Sequence, residues 1–171
     1  AQDLGARQGA LGMKRKPFQD TPTPAGNSAA ALLLDRLAAL ADKPDYRAKA
    51  ETILGLLAGK AADYGMFAAT YGLALANHLR APVKVVIVGD PLDARTRGLL
   101  QTAHATPRAG KSVLSFSAAQ VKSAALPKGL QATLPNLSMD GEPVALVCQG
   151  TSCQPPIKSP EALAKALIGA Q

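Results

Sequence analysis

The chain has 171 residues, 47% of them apolar and 18% charged, which is enough apolar surface for one or two compact domains and excludes wholesale disorder. Ordinary use of Pro (13) and Gly (15) excludes collagen-like and low-complexity classes, and two cysteines make no disulfide framework. No apolar run approaches the roughly 20 residues needed to span a bilayer. The net charge of +7 is spread out: +3 over residues 1–60 (nine basic, six acidic) and +4 over residues 61–171 (ten basic, six acidic).

The only basic cluster is Lys14-Arg15-Lys16, and the aromatic content is 4% with no Trp. Nucleic-acid footprints concentrate their charge and interleave aromatic rings, so neither nucleic acid nor membrane is an expected partner. The chain begins Ala1-Gln2-Asp3, with no Met and no charged-then-apolar leader, and reads as a fragment or processed form of something longer. Two cysteines suit a reducing cytoplasm, the expected compartment.

Residues 1–26 have no sustained period. Gly5, Gly9 and Gly12 are followed by Pro17, Pro22 and Pro24, which predicts an irregular lead-in. Three antiparallel helices are expected over residues 27–81. The first, 28–41, has Asn27 or Ser28 as its cap and Leu33, Leu37 and Leu40 as an apolar stripe. The second, 45–59, carries Tyr46, Ala50, Ile53 and Leu57 on one face, with Gly59 as a left-handed end. The third, 62–79, shows Ala68, Gly72, Leu75 and Leu79 as one row and Phe67, Tyr71, Ala74 and His78 beside it, until Pro82 stops it.

The period changes over residues 82–171, where a small α/β layer is expected. The β-branched run 83–88 predicts a buried strand, and 92–104 a helix with Leu92, Leu99 and Ala103 inward. A second strand is expected over 111–116, a short helix over 118–126 and a third strand over 143–148. The stretch 134–137 is ambiguous. Ser159 and Pro160 open a last helix over 160–168.

Several stretches have a chemical and a bland reading. Residues 105–112, ending in Gly110-Lys111-Ser112, resemble a relaxed phosphate-binding loop, but a helix precedes them and a strand follows, the reverse of what the mechanism needs. The strand ending in Gly89-Asp90 lacks the glycine fingerprint of a dinucleotide site, so Gly89 makes a turn and Asp90 or Asp93 caps the next helix. Cys148 and Cys153, spaced C-x4-C, read as a metal pair, a redox pair, or a buried cysteine and a turn cysteine. No metal site and no cofactor is expected, since a structural metal wants four ligands and His78 and His104 are distant. Each histidine sits near a helix C-terminus, which suits the dipole. Asp20, Asp35 and Asp63 are acid–base candidates only as carboxylates. The stretch 21–28 is either a rigid helix entry or a corner facing a cavity, with Thr23, Asn27 and Ser28 supplying hydrogen bonds.

Four segments carry a family resemblance: KPFQDTPTPAGNSAA at 16–30, YGMFAATYGLAL at 64–75, VVIVGD at 85–90 and ALVCQGTSCQPPI at 145–157. In this order they resemble thioredoxin-domain-containing proteins related to spermatogenesis-associated protein 20. The resemblance implies a thioredoxin-like domain, then an (α/α)6 toroid similar to six-hairpin glycosidases and N-acylglucosamine 2-epimerases, then a small α/β section. This chain is similar to only the last toroid helices and that section, so no catalytic residue is assigned.

The function implied is non-catalytic: completing and buttressing the toroid. The partner would be the upstream portion of the same protein or another copy. One alternative is a carbohydrate-active enzyme of the six-hairpin type, binding a sugar-like small molecule with Thr23, Asn27, Ser28 and Tyr71 lining the cavity. The other is a thiol-redox role for Cys148 and Cys153.

Overall fold

The structure is a computed structural model and describes residues 18–123, 126–137, 141–150 and 152–169. Most of the expected lead-in, including Lys14-Arg15-Lys16, lies outside the described residues, as do residues 124–125 of the helix expected over 118–126.

The helical layer comprises α1 (Gly26–Ala41), α2 (Pro44–Ala58), α3 (Ala61–Tyr64), a 3-10 turn (Gly65–Ala68) and α4 (Ala69–His78). The single third helix expected over 62–79 is therefore broken. Gly65 takes φ +49°, a positive-φ conformation that ends α3 and that glycine adopts without a Cβ penalty. Phe18, Ala31, Ala50, Leu54, Leu57, Ala68, Tyr71 and Ala74 form the core of this layer. The Phe18 ring meets Tyr64 and Tyr71 edge-on, with centroids 5.0 and 5.3 Å apart.

The inward face of α1 is not the expected one. Ser28, Ala31, Asp35 and Ala39 are buried, while Leu33 is 57% and Leu37 36% exposed. Small residues let α1 approach α2 and α4 closely, and Asp35 finds its partners only on that side. The expected caps also differ. Ala25 is the N-cap of α1 and offers no side-chain cap, Asp42 supplies the left-handed residue after that helix (φ +50°), and Gly59 has φ −68°.

The second layer is an open four-stranded sheet in the order β2-β1-β3-β4: β1 (Val83–Val88), β2 (Lys111–Phe116), β3 (Val144–Gln149) and β4 (Ser152–Cys153). β1 pairs parallel with β2 and antiparallel with β3, which turns back into β4. α5 (Ala94–Ala105) links β1 to β2; α6 (Ala118–Ser123) and α7 (Lys128–Gln131) follow, and α8 (Pro160–Gly169) ends the fold. The ambiguous stretch 134–137 contains a 3-10 turn, Leu134–Asn136.

Both faces of β1 are covered, so its sequence is a nearly unbroken apolar run rather than an alternation. Val83, Val85, Ile87, Ala145 and Val147 pack with Leu99, Ala103, Leu163 and Leu167 from α5 and α8. Val86, Val88, Val144 and Leu146 pack on the other face with Val121, Leu126, Leu130 and Leu134. Each such fully buried side chain is worth about 1.5–3 kcal/mol over its exposed state. Leu92, expected inward, is 80% exposed because α5 starts only after it. Asp93 caps α5 by accepting from the Arg95 N–H at 2.8 Å.

Candidate functional site

The charged groups worth testing as a site gather where the helical layer meets the sheet. Asp35 of α1 is buried, and His78 Nδ1 lies 3.0 and 3.1 Å from its two oxygens. A carboxylate only accepts, so Nδ1 carries the hydrogen of this bond. Arg47 of α2 places Nη1 3.8 Å from the same carboxylate and donates through Nη2 to the His78 carbonyl. One acid thus ties α1, α2 and the end of α4 together. Helix-dipole compensation, sufficient for His78 on sequence grounds, is joined here by a specific partner.

Two turns further on, Asp42 accepts from Lys84 Nζ of β1 and, through its other oxygen, from the Gly129 N–H at 2.9 Å. Burial alone would raise the Asp42 pKa; the Lys84 and Gly129 hydrogen bonds outweigh it and hold it below the usual carboxylate value. Asp35, Asp42, Arg47, Lys84, Pro44, Pro82 and Gly150 line a cavity of about 280 Å³. Its two acids face its two cations, so its walls are close to charge-neutral and favour neither sign of ligand.

Lys84 continues a row across the sheet. It is the register partner of Ser112 on β2 and of Cys148 on β3, and Cys148 is the partner of Cys153 on β4. Register partners share a face. The two cysteines form a disulfide, with Cα atoms 3.9 Å apart across the hairpin. Both cysteines are therefore joined to each other, Cys148 buried at the end of β3 and Cys153 half-buried on β4. Among the described residues no group of three His, Cys, Asp or Glu is placed to hold a metal.

Two further cavities border Gln149 at the end of β3. One of about 710 Å³ lies between Arg80, Arg108, Gln149, Leu167 and Ile168. One of about 340 Å³ is lined by Val83, Arg108, Val147, Gln149, Ser152, Cys153 and Gln154. Arg108 stands in both and donates to the Leu167 carbonyl at 2.7 Å.

The four cavity-lining candidates are scattered. Thr23 is exposed, Asn27 is half-buried, and Ser28 is buried with no hydrogen-bond partner for its Oγ. Tyr71 lies in the helical core and donates its hydroxyl to the Leu54 carbonyl at 3.0 Å. None of the four borders the cavities described above. Asp63 and His104 are exposed.

Asp20 is a fastener between backbone segments. Its carboxylate accepts the Ala25 N–H at 2.7 Å and the Thr70 N–H at 2.8 Å, and its own N–H donates to the Phe67 carbonyl at 2.8 Å. Those two accepted bonds, Thr70 first, hold its pKa below the usual carboxylate value. Lys111, the lysine of the phosphate-loop-like stretch, donates to the carbonyls of Ala103, His104 and Thr106 and so caps the end of α5. Burial pulls its pKa below the usual lysine value.

Sequence reasoning passed over Arg47, Asp42 and Lys84. Only Lys84 left a signal: it is the one charged residue inside the apolar run of β1.

Fold and site together define an α-helical bundle joined to a small, open, four-stranded mixed sheet, with a buried ion-pair cluster at the seam. No family model, curated protein or solved structure matches the chain.

Proposed function

We propose that the chain is a non-catalytic C-terminal portion of a larger protein of the kind it resembles, the thioredoxin-domain-containing proteins related to spermatogenesis-associated protein 20. In this reading its helices help close a six-hairpin glycosidase-like toroid and its sheet layer buttresses them. The observation that carries it is the two-sided apolar character of the helical layer. α1 buries its alanine face within the bundle and turns Leu33 and Leu37 outward; Leu56 of α2 and Leu73 of α4 are exposed as well. A helix apolar on both sides belongs between two layers, and only one is present among the described residues. The charge pairs support the same reading, because they fasten one element to another: Asp35 to Arg47 and His78, and Asp42 to Lys84.

The test is the double variant Leu33→Asp/Leu37→Asp, made in this chain and in a longer protein carrying the upstream sequence. The isolated chain is expected to bind an apolar dye and self-associate, and the variant to relieve both. In the longer protein the same change should destabilise. A chain that is monomeric and dye-silent, with a variant neutral in both contexts, overturns the reading.

A further inference from the structure

We propose that Cys148–Cys153 is a thiol–disulfide exchange site for a dithiol, in which Cys153 is the sulfur attacked and Cys148 leaves as a thiolate next to Lys84. Three observations converge on it. First, the two sulfurs differ in access. Cys153 is half-buried on β4, the edge strand, whereas Cys148 is 3% exposed among the residues that pack around Val86 and Leu146. An incoming thiolate reaches the edge first.

Second, the departing charge would form in an apolar layer, where an isolated anion is costly. The sheet register puts a lysine beside Cys148. Lys84 is the cross-strand partner of Cys148 on the side away from Cys153, so the row Lys84–Cys148–Cys153 has its ammonium-bearing residue beside the leaving sulfur. A neighbouring lysine stabilises a thiolate, and better leaving thiolates exchange faster. Third, the Lys84 ammonium is held by Asp42, which accepts from it, so the acid competes with a Cys148 thiolate for that charge.

The chemistry balances as follows. One thiolate of the dithiol attacks Cys153 Sγ, a new S–S bond forms to the reagent, and the Cys148–Cys153 bond breaks with its electron pair going to Cys148 Sγ. The second thiol of the reagent, as thiolate, attacks the reagent sulfur of the mixed disulfide and releases the Cys153 thiolate. The reagent leaves as a disulfide, oxidised by two electrons. The chain holds two thiols that carry the reagent's two protons. Lys84 and Asp42 act through Cys148 and are positioning residues.

Dithiothreitol is a suitable probe, with the rate of thiol release followed on the full chain. Lys84→Gln is expected to slow reduction several-fold, Lys84→Arg to restore it and Asp42→Asn to speed it. Asparagine keeps both the left-handed backbone at that position and an acceptor for Gly129. A merely structural role for the pair would move both Lys84→Gln and Asp42→Asn in the same direction, toward easier opening. In single-thiol variants, Cys153 in Cys148→Ser should label several-fold faster than Cys148 in Cys153→Ser. The proposal is overturned if Lys84→Gln and Asp42→Asn reduce at the parent rate or shift together, if the labelling order is reversed, or if the air-exposed chain carries two free thiols. Near-ultraviolet circular dichroism confirms that each variant is folded; should Lys84→Gln fail, Asp42→Asn and the labelling order decide.

Discussion

Asp20 and Thr70 are fifty residues apart in the chain, yet the Asp20 carboxylate accepts the Thr70 backbone N–H at 2.8 Å and the Ala25 N–H at 2.7 Å. One acid thereby serves the starts of α1 and α4 together, the role expected of Asn27 or Ser28 for α1 alone. Orphan N–H groups at a helix start need an acceptor, and here it comes from outside the helix.

A pH dependence follows. The folded pKa of Asp20 is held below its ordinary value, so the carboxylate contributes stability above its unfolded pKa and loses it as pH falls through the folded one. Asp20→Asn should lower the melting temperature at pH 7 and unfold with a flatter acid limb below about pH 4. A variant with the parent's acid limb would show that Asp20 does not carry this dependence.

The Asp35 cluster makes a sharper demand on stability. Removing the acid leaves Arg47 and the His78 ring without their partner in a buried seam. Asp35→Ala should cost about 3 kcal/mol in urea unfolding, in the range of other broken buried pairs. Arg47→Met should cost about 1 kcal/mol or less, because the Arg47 side chain is 41% exposed. Equal costs for the two would contradict the assignment of Asp35 as the shared anchor.

Gly89 ends β1 where α5 and Pro143 crowd in. A Cβ there would meet Thr96 Oγ1 at 2.4 Å and Pro143 Cβ at 2.7 Å. Gly89→Ala should destabilise by about 1–3 kcal/mol as the neighbours are pushed aside. Adding Thr96→Ala should recover only part of this, since the Pro143 contact remains. Thermal unfolding of the single and double variants gives the comparison, and a neutral Gly89→Ala would rule out the close approach.

The disulfide closes a short loop, with its cysteines five positions apart. The loop-closure relation gives about 2 kcal/mol for such a bridge, so reduction should lower the melting temperature by roughly 4–8 °C. Scanning calorimetry with and without a reductant measures it. No shift would mean that the hairpin is held by its other bonds, the Gln154 N–H to the Val147 carbonyl at 2.9 Å and the paired bonds between Ala145 and Ile157 at 2.8 Å.

Much of the second half of the fold was legible because its signals are local. The β-branched run 83–88 and the segment 111–116 form strands over the expected residues, and Pro160 opens α8. The third strand lies one residue later than expected, over Val144–Gln149. The first half was harder to read. Leu33, Leu37 and Leu40 make a convincing stripe, yet Ala31, Asp35 and Ala39 face the core. An amphipathic pattern reports which residues share a face, and α1 has two faces that could each be buried.

By itself the sequence determined where the chain turns helical or extended, since propensity, proline blocks and hydrophobic period act over a few neighbouring residues. Only the tertiary structure decided that Asp35 meets His78, that Asp42 meets Lys84, and that Cys148 stands between Lys84 and Cys153. Those meetings depend on strand register and helix rotation. Both are set by packing between segments distant in the chain, and no local pattern encodes them.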